Sequence, residues 1–289
     1  HGARNNINRA EGLIMKLLAA GGLAMLKVEN VRPISYSMPI GDSLVPLNDL
    51  LGERIKLTAL GVIYCIHCGR KTNKSFSQGY CYPCMKKLAC CDICIVSPEK
   101  CHYHEGTCRE PEWGEQYCMS RHYVYLANSS GVKVGITREE NMPKRWIDQG
   151  AVQALPIFAV ATRYLSGLLE TLLKQYVADK TNWRTMLKGG NPLLDLETKR
   201  DELLTACRED IQALQERFGL QAIQYCSDAD VLAFDYPVLE YPTKVVSHNL
   251  DKNPDFEGQL LGIKGQYLIL DTGVINIRKY TGYQVELHF

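Results

Sequence analysis

Ten of the twelve cysteines fall between Cys65 and Cys118, with the spacing of metal ligands. Cys65-Ile-His-Cys68 and Cys81-Tyr-Pro-Cys84 are two such pairs, twelve residues apart. Two residues between thiolates let one tight turn aim both sulfurs at a single ion, and twelve suit a hairpin that brings up the second pair. Four thiolates leave no open position for a substrate water, so this pattern predicts a structural, tetrahedral zinc. A second cluster offers Cys90, Cys91, Cys94, Cys101, His102, His104, Cys108 and Cys118. Cys91, Cys94, Cys101 and Cys108 are the favoured set, because Cys91-Asp-Ile-Cys94 repeats the pair spacing; Cys90, His102, His104 and Cys118 are rivals, His104 chiefly for the place of Cys101. Eight ligands at four apiece predict about two zinc ions per chain. Disulfides would need an oxidising compartment, and redox catalysis by a C-x2-C pair a βαβ setting; neither has a clear signal here.

A second group of residues suggests different chemistry. Tyr125, Lys133, Arg145 and Glu170 follow one another along the chain. Hydrolysing a phosphodiester needs a base for the water, a cation against the phosphoryl charge and help for the leaving oxygen. Glu170 is a candidate ligand for Mg²⁺ or Mn²⁺, with waters and substrate phosphate completing the octahedron. Arg145 would clamp phosphate in a bidentate fork that lysine cannot make. A tyrosine titrates near about 10 and would act as a base only if cations lowered its pKa; Lys133 is the cation expected to do so for Tyr125. Each residue also has an ordinary reading. Tyr123 and Tyr125 alternate as packed strand aromatics do, Glu170 and Lys174 are spaced as a helix-surface pair, and Arg145 with Trp146 suits surface stacking.

The elements that position these groups are legible from periodicity. Tyr123-Val-Tyr-Leu-Ala, the turn Asn128-Ser-Ser-Gly131 and Val132-Lys-Val-Gly-Ile-Thr137 predict a β-hairpin. Asn141 and Pro143 predict a helix start that places Arg145 one turn in, and an apolar strand covers residues 155–160. Leu165, Leu168, Leu169, Leu172, Leu173 and Tyr176 repeat at three and four, which predicts a helix with Glu170 off the buried face and near water.

A hairpin with a Tyr on its first strand and a Gly closing its second, then a helix Arg and a lone helix Glu, resembles the GIY-YIG nuclease domain. Tyr125 matches the first-motif Tyr, Val134-Gly135 the end of the second motif, Arg145 the helix Arg and Glu170 the metal-binding Glu. The resemblance covers about residues 121–188 and implies metal-dependent cleavage of nucleic acid. Lys133 stands where the family has its second-motif Tyr, the hairpin is shorter than usual, and Tyr123 competes with Tyr125 for the first slot. Cys65-Ile-His-Cys-Gly-Arg-Lys resembles a zinc-ribbon or treble-clef knuckle. The whole chain also resembles an uncharacterised bacterial family that pairs such a domain with cysteine clusters, a resemblance that implies no activity.

The 289 residues, 46% hydrophobic, suffice for two or three compact domains of an α+β chain. The expected order is a leader and β-layer over residues 1–60, zinc clusters over 61–120, a GIY-YIG-like small mixed sheet with helices over 121–190, a helical connector over 191–230, and a small β-module over 231–289. The net charge of +1 excludes nothing by itself. Locally, Arg54, Lys56, Arg70, Lys71, Lys74, Lys86 and Lys87 face only Glu53 over residues 51–90, a candidate phosphate-facing surface. Residues 193–218 read as one long, net acidic helix, unsuited to phosphate and suited to solvent or a protein partner. Gly258, Gly262 and Gly265 suggest bends in a small barrel, on which Lys264, Tyr267, Arg278, Lys279 and Tyr280 are candidate nucleic-acid contacts. Cys207 and Cys226 read as buried thiols.

The chain opens on His1, so its amino end reads as processed, partial or taken from upstream of the true start. Residues 13–26 are apolar but short and interrupted by Lys16 and Gly21-Gly22, which argues against a membrane helix. With no clear cleavage site following, a cytoplasmic, soluble protein is expected. The leading reading is a zinc-braced nuclease acting on DNA or RNA. The alternatives are a nucleic-acid-binding or adaptor protein that has lost the chemistry, and a zinc scaffold for a protein partner.

Overall fold

The computed structural model describes residues 14–178 and 180–289; a leader over residues 1–13 falls outside them. In chain order β1 (Leu17–Gly22), β2 (Lys27–Glu29), β3 (Ser35–Ile40), β4 (Ser43–Pro46), β5 (Arg54–Tyr64) and β6 (Lys71–Thr72) precede α1 (Tyr82–Lys87) and α2 (Pro111–Tyr117) of the cysteine-rich segment. The middle of the chain is β7 (His122–Asn128), β8 (Val132–Arg138), α3 (Lys144–Asp148), β9 (Gln153–Val160) and α4 (Arg163–Leu173). Then come α5 (Trp183–Lys188), α6 (Leu196–Ala206), α7 (Arg208–Phe218), β10 (Ile223–Tyr225), β11 (Leu232–Ala233), β12 (Asp255–Lys264), β13 (Tyr267–Leu270), β14 (Gly273–Asn276) and β15 (Tyr283–His288). The fold is α+β.

The hairpin forms as its alternation dictates, with Tyr125 opposite Gly135 and Ala127 opposite Lys133. β9 pairs with the other edge of β7, and β10 and β11 pair with β9, all antiparallel, while an isolated parallel bridge joins Lys133 of β8 to Ala178. Because successive side chains alternate between faces, Val124 and Leu126 turn to one side, where Leu165, Leu169 and Leu173 of α4, Leu203 of α6 and Ile211 of α7 bury them. Each such leucine withdrawn from water contributes about 1.5–3 kcal/mol. Tyr125 and Ala127 turn to the other side and join Trp146, Ile147, Phe234 and Tyr236 in a second core. Thr162 caps α4 by accepting from the Leu165 amide. The helix ends at Leu173, so Tyr176 is 49% exposed rather than on a buried face.

That second core belongs to a β-unit built from both ends of the chain. The larger sheet runs β1-β15-β5-β12-β13-β14, an open path rather than a closed barrel. Gln266 fastens the ends together, accepting from the Leu26 amide at 2.8 Å and donating to its carbonyl at 3.1 Å. The β-layer before Cys65 and the module after residue 231 therefore share one sheet, a joining of the early strands to the late module that the sequence left open. Between them, residues 193–218 form two helices rather than one, because Cys207 (φ −104°, ψ 11°) breaks the run. Among the described residues no helix is long and apolar enough to cross a membrane.

Candidate active site and metal centres

β5 ends at Tyr64, and the turn that follows closes with the Gly69 amide donating to the Cys65 carbonyl at 2.9 Å. Cys81 directly precedes α1, which carries Cys84 in its first turn. The ligand atoms of Cys65, Cys68, Cys81 and Cys84 all lie within 4.8 Å of one another. Cys68 Sγ and Cys81 Sγ are 3.7 Å apart, close to the roughly 3.8 Å edge of a tetrahedron with metal–sulfur bonds of about 2.3 Å. Burial pushes the Cys65 thiol up, but the amides of Cys68, Cys81 and His67 aimed at its sulfur outweigh this and bring it down to about 6. The four thiols expected from spacing can thus hold a structural metal ion. All cysteines among the described residues are free thiols.

The second cluster departs from the expected set. Cys91 lies with Cys90, sulfur to sulfur 3.9 Å, and Cys90 reaches the Tyr80 hydroxyl at 3.4 Å. Cys94, Cys101, Cys108 and Cys118 instead line a common cavity of about 10 Å³. Asp92, Cys94 and His102 also bring ligand atoms within 4.8 Å of one another. His104 is exposed beside Glu105, with its ring 5.4 Å from that of Tyr164, and is no substitute for Cys101.

The cysteine-rich block is pressed onto the hairpin sheet through α4. A Cβ on Gly167 would stand 2.4 Å from the Glu99 nitrogen and 2.6 Å from the Pro98 carbonyl carbon, so only glycine allows this approach. Arg163 spans the joint, donating to the carbonyls of Cys94 at 3.5 Å and Ile95 at 2.5 Å.

Tyr125 occupies the seam between the hairpin sheet and the β-unit. Its ring fills the space over Gly135, where any Cβ would lie 2.7 Å from Cζ and from the hydroxyl oxygen. Trp146 packs against it edge-on at 5.5 Å between centroids. The hydroxyl donates to Gln149 Oε1 at 3.1 Å, and the charges of Arg145 and Glu170 both act on it. α3 supplies Arg145 and the residue that ends it, Gln149, while Glu170 comes half-buried from α4. The three side chains expected to act together lie within electrostatic reach of one another.

Two expectations about this site change. Burial pushes the Tyr125 phenol above its ordinary value; Arg145 opposes this and Glu170 adds to it. A buried phenol titrating above about 10 holds its proton near neutrality and is no base for water. The cation whose charge lowers its pKa is Arg145, whereas Lys133 is 5% exposed and lies two pairs further along β8. Tyr123 does not compete for the slot, since its hydroxyl donates to Glu139 at the surface at 3.2 Å.

Sequence reasoning missed Gln149 and Arg163, which carried no spacing signal. It also missed that Arg278, in the turn after β14, lies near enough for its charge to oppose that of Arg145.

The basic stretch is partly neutralised, because Arg54 pairs with Glu257 at 2.9 Å and Lys56 with Asp255 at 3.4 Å on β12. Arg70, Lys71, Lys74, Lys86 and Lys87 remain exposed around the first thiol cluster, beside Tyr82, which is 54% exposed. Of the candidate contacts on the carboxyl-terminal module, Lys264 and Tyr280 are each 1% exposed and belong to the core, not a surface.

No curated protein and no solved structure matches the chain. Residues 52–285 match a family described as a protein of unknown function, DUF2797, a span that takes in both thiol clusters, the hairpin and most of the β-unit. The chain belongs to the DUF2797 family.

Proposed function

We propose that this chain hydrolyses nucleic-acid phosphodiesters at a GIY-YIG-like site formed by Tyr125, Arg145 and Glu170. The observation that supports the reading is the Tyr125 hydroxyl, held by Gln149 and lying in the fields of both Arg145 and Glu170. Arg145 clamps the scissile phosphate beside the Tyr125 hydroxyl. Gln149 holds the Tyr125 proton, so the tyrosine orients rather than ionises. Glu170, a half-buried carboxylate on α4, suits Mg²⁺ or Mn²⁺, which keep several waters of their own. Such a metal lowers the pKa of bound water and neutralises developing charge, the role Tyr125 cannot fill. Lys133, buried on the same sheet face, adds positive potential toward the phosphate. In this reading the metal suited to the Cys65, Cys68, Cys81 and Cys84 centre is structural zinc, and thiol centres of this kind suit a reducing compartment such as the cytoplasm.

The test is cleavage of labelled DNA and RNA with Mg²⁺ or Mn²⁺ by wild type and Glu170→Ala at equal zinc content. Loss of cutting in the variant supports the reading; equal cutting assigns the activity elsewhere.

A second reading is favoured by the full burial of Tyr125 together with the exposed lysines and arginines around the first thiol cluster. In it the domain binds nucleic acid through that basic face, with Tyr82 offering a stacking surface, and does not cut. Salt-sensitive binding without turnover, unchanged in Glu170→Ala, distinguishes it. A scaffold for a protein partner shows neither.

A further inference from the structure

We infer a second structural metal centre held by Cys94, Cys101, Cys108 and Cys118, seated directly on the amino-terminal turn of α4. The four thiols line one cavity of about 10 Å³, the scale of a single ion or water and too small for an organic ligand. Cys101 and Cys118 are buried, at 7% and 5% exposure, and Cys94 and Cys108 are half-buried. Four thiols around one ion-sized cavity suit zinc, with no position left for substrate once all four bind.

Asp92 and His102 border the same cavity but are committed elsewhere. Asp92 accepts from the Ile93 amide at 2.7 Å and from Arg109 Nε at 2.9 Å. His102 lies between Thr107 Oγ1 at 2.7 Å and Asp92 Oδ2 at 3.2 Å. They buttress the centre rather than complete it. Arg109 also donates to the Met85 and Leu88 carbonyls beyond Cys84, so one guanidinium braces the two thiol centres together.

The seat on α4 is specific. The Arg163 amide donates to the Cys118 carbonyl at 2.8 Å, and its guanidinium reaches the carbonyls of Cys94 and Ile95. Two of the four ligand segments thus hang from one residue. Zinc with four thiolates carries a net charge of −2, and Arg163 is the cation placed to offset it where water is largely excluded. This metal therefore fixes the helix that carries Glu170, whereas the first centre, at the far end of β5, does not touch it. The inference stands whether or not the Tyr125 site cuts.

The experiment uses the full chain purified with zinc and analysed for metal per protein. Wild type and Cys91→Ser hold about two zinc ions, while Cys118→Ser and Cys68→Ser each hold about one. Hydrogen exchange in α4 quickens at least tenfold in Cys118→Ser and is unchanged in Cys68→Ser. Should Cys118→Ser fail to fold, alkylation of native wild type decides: Cys90 and Cys91 react, and Cys94, Cys101, Cys108 and Cys118 react only after chelation. One zinc in wild type, two in Cys118→Ser, loss of a zinc in Cys91→Ser or His102→Ala, or chelator-independent labelling of the four thiols would each overturn the assignment.

Discussion

Replacing Gly135 with alanine puts a methyl group where the Tyr125 ring already lies. The new Cβ would stand 2.7 Å from Cζ and from the hydroxyl oxygen and 3.1 Å from Cε2, inside the roughly 3.5–4.0 Å at which carbon atoms sit comfortably. Neither side yields easily, because Gly135 is mid-strand with β7 across from it and the ring is backed by Trp146. Turning the ring off its rotamer or parting the strands costs about 1–3 kcal/mol. Tyr125→Ala alone empties a fully buried aromatic site and costs about 3–5 kcal/mol. In the double variant the methyl group enters space the ring has left, so the first cost vanishes. The pair should then cost less than the sum of the singles by about 1–3 kcal/mol. Urea denaturation of the four proteins, followed by tryptophan emission in zinc-containing buffer, closes the cycle. Additivity to within about 0.5 kcal/mol would refute the contact, and with it the claim that the second-strand glycine exists to admit the tyrosine.

Other consequences can be measured separately. His122 donates from Nδ1 to the Ser120 carbonyl and leaves Nε2 buried without a hydrogen-bond partner; burial, joined by the Arg163 and Arg138 charges, lowers its pKa to about 4. The folded value is below the unfolded one near 6.5, so this stability is present above pH 6.5 and is lost as pH falls to about 4, about 3 kcal/mol in all. His122→Asn, which can keep the bond to Ser120, should flatten the stability profile between pH 7 and 5; an unchanged slope refutes the assignment. Lys264 donates to the Met186 carbonyl between the rings of Tyr236 and Tyr241, and burial lowers its pKa to about 8. With a depressed folded pKa, stability should fall as pH drops from about 10.5 to 8, and Lys264→Met should gain about 1–2 kcal/mol at pH 7; a loss of stability in denaturant titration contradicts this. If the basic face binds nucleic acid, Lys86→Ala and Lys87→Ala each reduce the salt slope of binding by about 1, while Arg54→Ala, already paired with Glu257, leaves it unchanged.

The hairpin and the first thiol centre were legible because both are local. Alternation and a turn with Gly131 define the hairpin, and C-x2-C spacing defines the centre. The second thiol group misled for the same reason: Cys91 has the right spacing to Cys94 but lies against Cys90, while Cys118 arrives from the end of α2 with no motif to mark it. Tyr125 and Glu170 were found from order along the chain, yet the depth of Tyr125 was not, because the β-unit that covers it pairs strands from opposite ends of the sequence. Lys264 and Tyr280 looked like surface residues on a small sheet for want of the same long-range information. The split at Cys207 left no breaker residue to read, since neither glycine nor proline marks it.

β15 lies between β1 and β5, hydrogen-bonded to both. During synthesis β15 must therefore leave the ribosome before β1 can find its neighbour. Until then the thiol clusters and the hairpin have already emerged, so metal capture precedes closure of the frame that buries Tyr125. A chain shortened at Thr281 should load its metals and yet leave β1 and β5 as unpaired edges, prone to pairing between copies.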